Sequence, residues 1–206
     1  MPGPWPHAAD VVLLHSHPVE TTYFGNPTLV VGDYATLIPD VLPSVTGTWP
    51  DGYDRPDLAA ALMELAGSAP LRPQDVVSIA HERFPGALIT VDAGAHMLVA
   101  MPLWRSAAPN DVLISNGLAT MGFALPAAIA AAISRPDRKV ICFVGDGGLG
   151  MALAELEVLS RRSLDVTVIV FNDASLTLIK LKQGEAQGGT AAVGYSPISF
   201  AGIATA

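Results

Sequence analysis

Two apolar runs, KVICFV ending at Val144 and VTVIVF ending at Phe171, constrain this chain more than any other feature. The first breaks at Gly145-Asp146-Gly147, an amphipathic helical stretch follows, and the second closes on Asn172-Asp173. Strands without polar alternation suit a parallel sheet covered on both faces. Parallel neighbours need a crossover, and a right-handed one through a helix puts their carboxyl ends side by side. Asp146 and Asn172-Asp173 then arrive at one rim, where two oxygen-bearing loops face a single ion. Magnesium favours one or two protein oxygens completed by phosphate oxygens. The glycines around Asp146 let backbone approach an anion closely at a helix N-terminus. The pattern implies a metal-bridged diphosphate site.

Composition bounds what surrounds that site. The chain has 206 residues, half of them hydrophobic and only 15% charged, enough for one domain plus part of another. A formal net charge of −8 argues against nucleic acid or an anionic membrane as partner, since both need clustered Lys and Arg. The single cysteine, Cys142, lies inside the first apolar run and reads as a small core residue rather than a nucleophile. The N-terminal MPGPWPHAAD lacks a basic leader pattern, and no segment reaches the roughly 18 apolar residues of a membrane span. The expected location is cytoplasmic.

Along the chain, VVLLHS and Thr28 to Gly32 read as short strands, and Asp33 to Leu42 as a helix capped by Asp33. Residues 44–71 open with a linker rich in Pro, Gly and Asp, followed by a short helix from Asp57 to Ala66. Arg72 to Arg83 reads as a helix with Pro73 in its first turn. Then follow a strand (ALITVD), a turn into helix from Gly94 to Ala100, a strand (DVLIS) and a long helix from Met121 to Ser134. Beyond Gln183, GEAQGGTAAVGYSP reads as a mobile loop, and SFAGIATA as the start of a helix that the chain does not finish. The expected fold class is α/β, a parallel sheet with helices on both faces, incomplete at both ends.

Two readings of the central loop compete. Gly145-Asp146-Gly147-Gly148-Leu149-Gly150 also satisfies the dinucleotide-binding spacing G-x-G-x-x-G, with Asp173 roughly where a ribose-binding acid falls. That spacing normally opens its domain, whereas here an Ala-rich helix and earlier strands precede it. An Asp between glycines is also a common turn former. His15-Ser16-His17 has no third ligand nearby and reads as a strand end. Lys180 and Lys182 could meet an anionic substrate, although a solvated helix face is the better account of them.

The Gly-Asp-Gly, spacer and Asn-Asp series resembles the cofactor motif of thiamine diphosphate enzymes of the acetolactate synthase and pyruvate decarboxylase group, which usually ends in Asn-Asn. Ser115 to Pro126 (SNGLATMGFALP) and Leu178 to Gln183 (LIKLKQ) are similar to the flanking family segments. The resemblance implies residues 1–43 as the tail of a central domain, with His17-Pro18 and Gly32-Asp33 at its strand ends. Residues 72–206 become the diphosphate-binding domain, truncated at its C-terminus.

By the same resemblance, Gly145, Asp146, Gly147 and Gly148 surround the diphosphate, and Mg²⁺ is held by Asp146, Asp173 and the backbone carbonyl of Ser175. Asp173 departs from the usual Asn and adds a charge beside Asp146, tolerable with the cation bound. Leu176 is a cofactor-lining residue. Gly94, Ala95 and His96 correspond to a Gly-Gln-His turn near the diphosphate, with Ala95 replacing Gln. Met121 is the candidate catalytic residue: it wedges beneath the cofactor and folds its two rings together, while the Ala119 carbonyl accepts a bond from the aminopyrimidine. A core methionine on an apolar helix is the plain alternative.

The family's catalysis also needs a glutamate from a pyrimidine-binding domain, which lets the cofactor's amino group deprotonate the thiazolium C2. No segment here resembles that domain. The implied protein is the diphosphate half of an enzyme acting on small 2-oxo acids by decarboxylation or carboligation, partnered by a pyrimidine domain or subunit in a homo- or hetero-oligomer. A split subunit and a piece of a longer polypeptide both fit. A non-catalytic fragment of the same fold is the remaining alternative.

Overall fold

The computed structural model describes residues 11–14, 28–31, 58–64, 71–187, 189 and 191–205. The chain divides into two compact units, Met1–Asp54 and Arg55–Ala206. In the first, strands β1 (Val11–Leu14) and β2 (Thr28–Val31) pair in parallel, Val11 opposite Thr28 and Leu14 opposite Val31. Both were expected as strands. The helix from Asp33, the His15-Ser16-His17 series, His17-Pro18, Gly32-Asp33 and the linker lie outside the described residues.

The second unit opens with α1 (Leu58–Glu64) and α2 (Pro73–Arg83), whose first helical residue is the proline that suits that place. Four strands follow, β3 (Leu88–Val91), β4 (Val112–Ile114), β5 (Val140–Gly145) and β6 (Val166–Phe171), in the order β4-β3-β5-β6 and parallel throughout. The pleat sends alternate side chains to opposite faces. Leu88, Val140, Cys142 and Val144 pack against the alanine-rich α4 (Ala124–Ser134). Ile89, Val91, Ile141 and Phe143 pack with Val77 and Ala80 of α2, Ala100 of α3 (Met97–Leu103) and Trp104. Two covered faces explain why these strands read as unbroken apolar runs. Burial pushes the Cys142 thiol up to about 12, in keeping with a core residue.

At the amino ends of the strands, Arg138 donates to the buried Asp111 carboxylate at 2.6 Å and Lys139 pairs with Asp165. The carboxyl ends are left for loops.

Several boundaries differ from the sequence reading. α4 begins at Ala124 rather than Met121, because Ala119 (φ 49°) and Gly122 (φ 79°) are left-handed and keep the preceding segment out of helix. The helix after Gly145 is broken into α5 (Asp146–Met151), a 3₁₀ turn (Leu153–Glu155) and α6 (Leu156–Arg162), with Ala152 leaving helical geometry at φ −113°, ψ 19°. Glycine at 147, 148 and 150 gives α5 little intrinsic helical preference. The glycine-rich stretch is in part regular: α7 (Thr177–Gln187) continues through Gly184. The last helix, α8 (Phe200–Thr205), is capped by Ser199, whose hydroxyl accepts the Gly202 N–H.

Asp92, directly after β3, is fully buried and ties these pieces together. Its carboxylate accepts the N–H groups of Gly122 (2.9 Å), Phe123 (2.8 Å) and Ala124 (3.1 Å), three donors that the start of α4 leaves without helical partners. Replacing Asp92 with Ala strands those donors. Asp92→Ala is expected to cost about 3 kcal/mol in urea denaturation, and Asp92→Asn less, while a loss below about 0.5 kcal/mol for Asp92→Ala contradicts this role.

Candidate functional site

In the β5–β6 ladder Gly145 lies opposite Phe171, so both strands deliver their following loops to the same rim. Asp146, only 4% exposed, starts α5. One of its oxygens, Oδ2, accepts the N–H of Asp173 at 3.2 Å and of Ala174 at 2.7 Å. The other, Oδ1, accepts the Gly147 N–H at 2.7 Å and the Tyr195 hydroxyl at 2.6 Å. The two loops expected to meet are thus joined through one carboxylate.

The exposed Asp173 folds back on its own turn, Oδ1 accepting the Ser175 N–H at 3.1 Å and Oδ2 the Thr177 hydroxyl. Ala174 is left-handed at φ 55°, which reverses the chain there. Asn172 turns elsewhere, its amide donating to the Ile198 carbonyl at 2.9 Å. Of the Asn-Asp pair, the second member faces the site.

A cavity of about 460 Å³ opens beside these loops. Gly94, Ala95, His96, Ala119, Met121, Gly145, Asp146, Gly147, Gly148, Asp173, Ser175 and Leu176 all line it, so the residues expected around the cofactor share one space. Lys182 lines it too. The glycines are needed for close approach. A Cβ on Gly147 would lie 2.7 Å from Leu176 Cδ2 and 3.2 Å from Met121 Cε, and one on Gly148 would lie 2.0 Å from Asp92 Oδ2. Met121 therefore sits over the Gly-Asp-Gly turn, not in the core of α4.

His96 is buried, stacks on Phe171 with ring centroids 5.4 Å apart, and leaves Nε2 without a partner. The Ser175 hydroxyl is buried and likewise unpartnered. Burial is the main influence on His96 and pushes its imidazole below the ordinary histidine value, while Asp92, Asp146 and Asp173 pull the other way. Burial and the Asp146 hydrogen bond push the Tyr195 hydroxyl up, so it stays protonated and donates.

Two residues of this site escaped the sequence reading. Asp92 was legible only as the end of an apolar strand, and nothing local marks its three acceptor bonds. Tyr195 lies in the stretch expected to be a loop. In the structure Ala191–Tyr195 forms a strap: Leu176 N–H donates to Val193 O at 2.8 Å and Tyr195 N–H to Ala174 O at 3.1 Å, with Ser175 bridged antiparallel to Gly194.

A cavity at the carboxyl ends of a parallel sheet, floored by glycines at a helix start, is the form of a phosphate-ligand site in open α/β folds. A sequence model described as the thiamine pyrophosphate enzyme C-terminal TPP-binding domain matches residues 92–206, and the chain belongs to that family. It is similar to the Escherichia coli acetolactate synthase isozyme 1 large subunit, 43% identical over 120 residues, 57% of this chain and 21% of that protein. It also resembles the acetolactate synthase large subunits of Lactococcus lactis (34% over 111 residues, 53% of this chain and 19% of that one) and Parasynechococcus marenigrum (34% over 126 residues, 61% and 19%). The chain spans about one fifth of the length of these curated relatives. The dinucleotide reading of the Gly-rich loop gives way to the thiamine one. No helix among the described residues is long and apolar enough to cross a membrane.

The His96 environment carries a pH consequence. An unfolded chain protonates its histidines near pH 6.5, before the buried His96 does. Stability from this group is complete above that pH and is lost as pH falls toward the depressed folded value. Urea midpoints measured at about pH 7.5 and about pH 5.5 are expected to fall less in His96→Gln than in the wild type. Equal falls would mean that His96 is not held neutral by burial.

Proposed function

We propose that this chain is the diphosphate- and Mg²⁺-binding part of a thiamine diphosphate-dependent enzyme acting on small 2-oxo acids, by acetolactate synthase-like carboligation or by decarboxylation. The observation that carries the reading is the convergence of all the candidate residues on one cavity between the β5 and β6 loops. The residues fit the group. Asp146 and Asp173 bring two carboxylates to the cavity, and among the described residues no third His, Cys, Asp or Glu joins them in a metal-holding group. Such a set suits a hard cation whose coordination the diphosphate completes, not an all-protein cage.

In this proposal Asp146, Asp173 and the Ser175 carbonyl hold Mg²⁺. The backbone of Gly145, Gly147 and Gly148, with the turn of Gly94, Ala95 and His96, surrounds the diphosphate. The unpartnered His96 Nε2 supports that placement, since a buried polar atom is ordinarily satisfied by something. Met121 and Leu176, which crowd the same side of Gly147, set the shape under the cofactor rings, and the left-handed turn at Ala119 offers its carbonyl to the aminopyrimidine.

When bound, thiamine diphosphate supplies an acidic thiazolium C–H and an electron sink for carboxylate loss. This chain's residues bind and orient it. The proton relay calls for a glutamate on a pyrimidine-binding domain, from another chain or another part of a longer one, and hence an oligomeric or multidomain enzyme. Residues 72–206 form the diphosphate domain in this account, 44–71 a connector, and 1–43 the end of a central domain.

Calorimetric titration tests the metal bridge. Thiamine diphosphate is expected to bind with Mg²⁺ and not with EDTA, Asp146→Ala to abolish binding, and Asp173→Asn to keep it where Asp173→Ala loses it. Equal affinity in EDTA would remove the bridge, and saturable NADH binding would restore the dinucleotide reading.

The isolated chain, saturated with cofactor, is expected to exchange the C2 proton slowly by NMR. Adding a glutamate-bearing pyrimidine domain should speed exchange on the order of 10² to 10⁴, the usual range for such acid–base help. Rapid exchange on the chain alone would mean that a residue of its own completes the relay.

A further inference from the structure

The Asp146 carboxylate has no vacant acceptor position. A carboxylate offers about four lone-pair sites, and here four donors take them: the N–H groups of Gly147, Asp173 and Ala174, and the Tyr195 hydroxyl. A cation arriving at either oxygen must share or displace one of them. Three are backbone donors whose positions are set by the start of α5 and by the β6 turn. The fourth is a side chain at the end of the Ala191–Tyr195 strap, which two backbone hydrogen bonds and the buried Val193 hold against the Ala174–Leu176 loop. Tyr195 itself remains partly exposed, so its ring has room to turn away.

We infer that Tyr195 is the exchangeable donor of this site: its hydroxyl satisfies Asp146 Oδ1 and yields that oxygen to an arriving divalent cation. This rests on the proposed reading of Asp146 as a metal ligand, and deepens it by making Tyr195 a positioning residue that sets metal affinity. Two physical effects act in the same direction. A proton donor aimed at Oδ1 competes with the cation for the same lone pairs, and it also withdraws electron density from the oxygen that the cation would bind. Removing the hydroxyl leaves the carboxylate aligned by its three backbone donors, so orientation survives. The hydroxyl also lies near the glycine turn, 3.1 Å from where a Cβ on Gly147 would sit, so its departure clears space beside the diphosphate position. Loading of the site then frees the end of the strap.

The test compares the full chain as wild type, Tyr195→Phe and Asp146→Ala, titrating Mg²⁺ calorimetrically in the presence of thiamine diphosphate. The tyrosine ring carbons bonded to oxygen are followed by ¹³C NMR, the Tyr195 signal being assigned by its loss in Tyr195→Phe. The expected result is a Kd for Mg²⁺ roughly three- to tenfold lower in Tyr195→Phe, the size of one modest hydrogen bond, and a shift of the Tyr195 signal on loading the wild type. An unchanged or weaker affinity in Tyr195→Phe, or a Tyr195 signal that ignores Mg²⁺, overturns the exchange. Mg²⁺ binding that survives in Asp146→Ala, or is missing from the wild type, overturns the metal reading beneath it and so separates the two failures. An unfolding midpoint for Tyr195→Phe close to that of the wild type shows that the affinity change is not a folding defect.

Discussion

The structure depends on one carboxylate in one register. With Gly145 opposite Phe171 in the β5–β6 ladder, the chain leaving each strand emerges at the same level, and Asp146 spans the gap by accepting the N–H groups of Asp173 and Ala174. A slip of one residue would send Asp146 to the other face of the sheet. Burying a carboxylate without a cation is costly unless donors surround it, and four donors do so here. The same arrangement that stabilises the charge locally also holds the two loops a fixed distance apart. Fold and site are coupled at this point.

A second buried carboxylate performs the matching task on the neighbouring strand. Asp92 closes the start of α4 from the end of β3, and its Oδ2 fills the space that a side chain at Gly148 would need. The segment bearing Ala119 and Met121 is thereby drawn against the Gly-Asp-Gly turn, which is why Met121 meets Gly147 instead of sinking into the helix core. Three strand ends, β3, β5 and β6, contribute to one cavity because three crossovers bring their carboxyl ends to the same side. The ion pairs of Asp111 with Arg138 and Asp165 with Lys139 close the opposite side. Membership of the thiamine pyrophosphate enzyme family accords with such a layout.

The parallel placement of β5 and β6 and the meeting of Asp146 with Asp173 were legible because both follow from the two apolar runs and from the handedness of crossovers, whereas the order β4-β3-β5-β6 was not. The candidate cofactor residues, which the family resemblance supplied, line one cavity. Boundaries set by tertiary contacts were not legible. The start of α4 depends on an acceptor about thirty residues upstream, and Met121 to Phe123 read as helix only because Asp92 and the left-handed Gly122 were out of view. α7 runs through Gly184 although glycine weakens helices. The strap that brings Tyr195 to Asp146 is held by pairing with the Ala174–Leu176 loop, so composition alone made it a glycine-rich loop. The two roles of Asn172 and Asp173 also separate only in three dimensions, one side chain facing Ile198 and the other its own turn.

The central proposal is that one divalent cation sits between the β5 and β6 loops and ties a diphosphate to them. Crystals grown with Mn²⁺ and thiamine diphosphate, measured at the manganese absorption edge, test it most directly. The account predicts one anomalous peak within coordination distance, about 2.1 Å for the Mg²⁺ it replaces, of Asp146, Asp173 and the Ser175 carbonyl, with diphosphate oxygens completing the shell. A bound cofactor with no peak there, or a peak held by other residues, would contradict it.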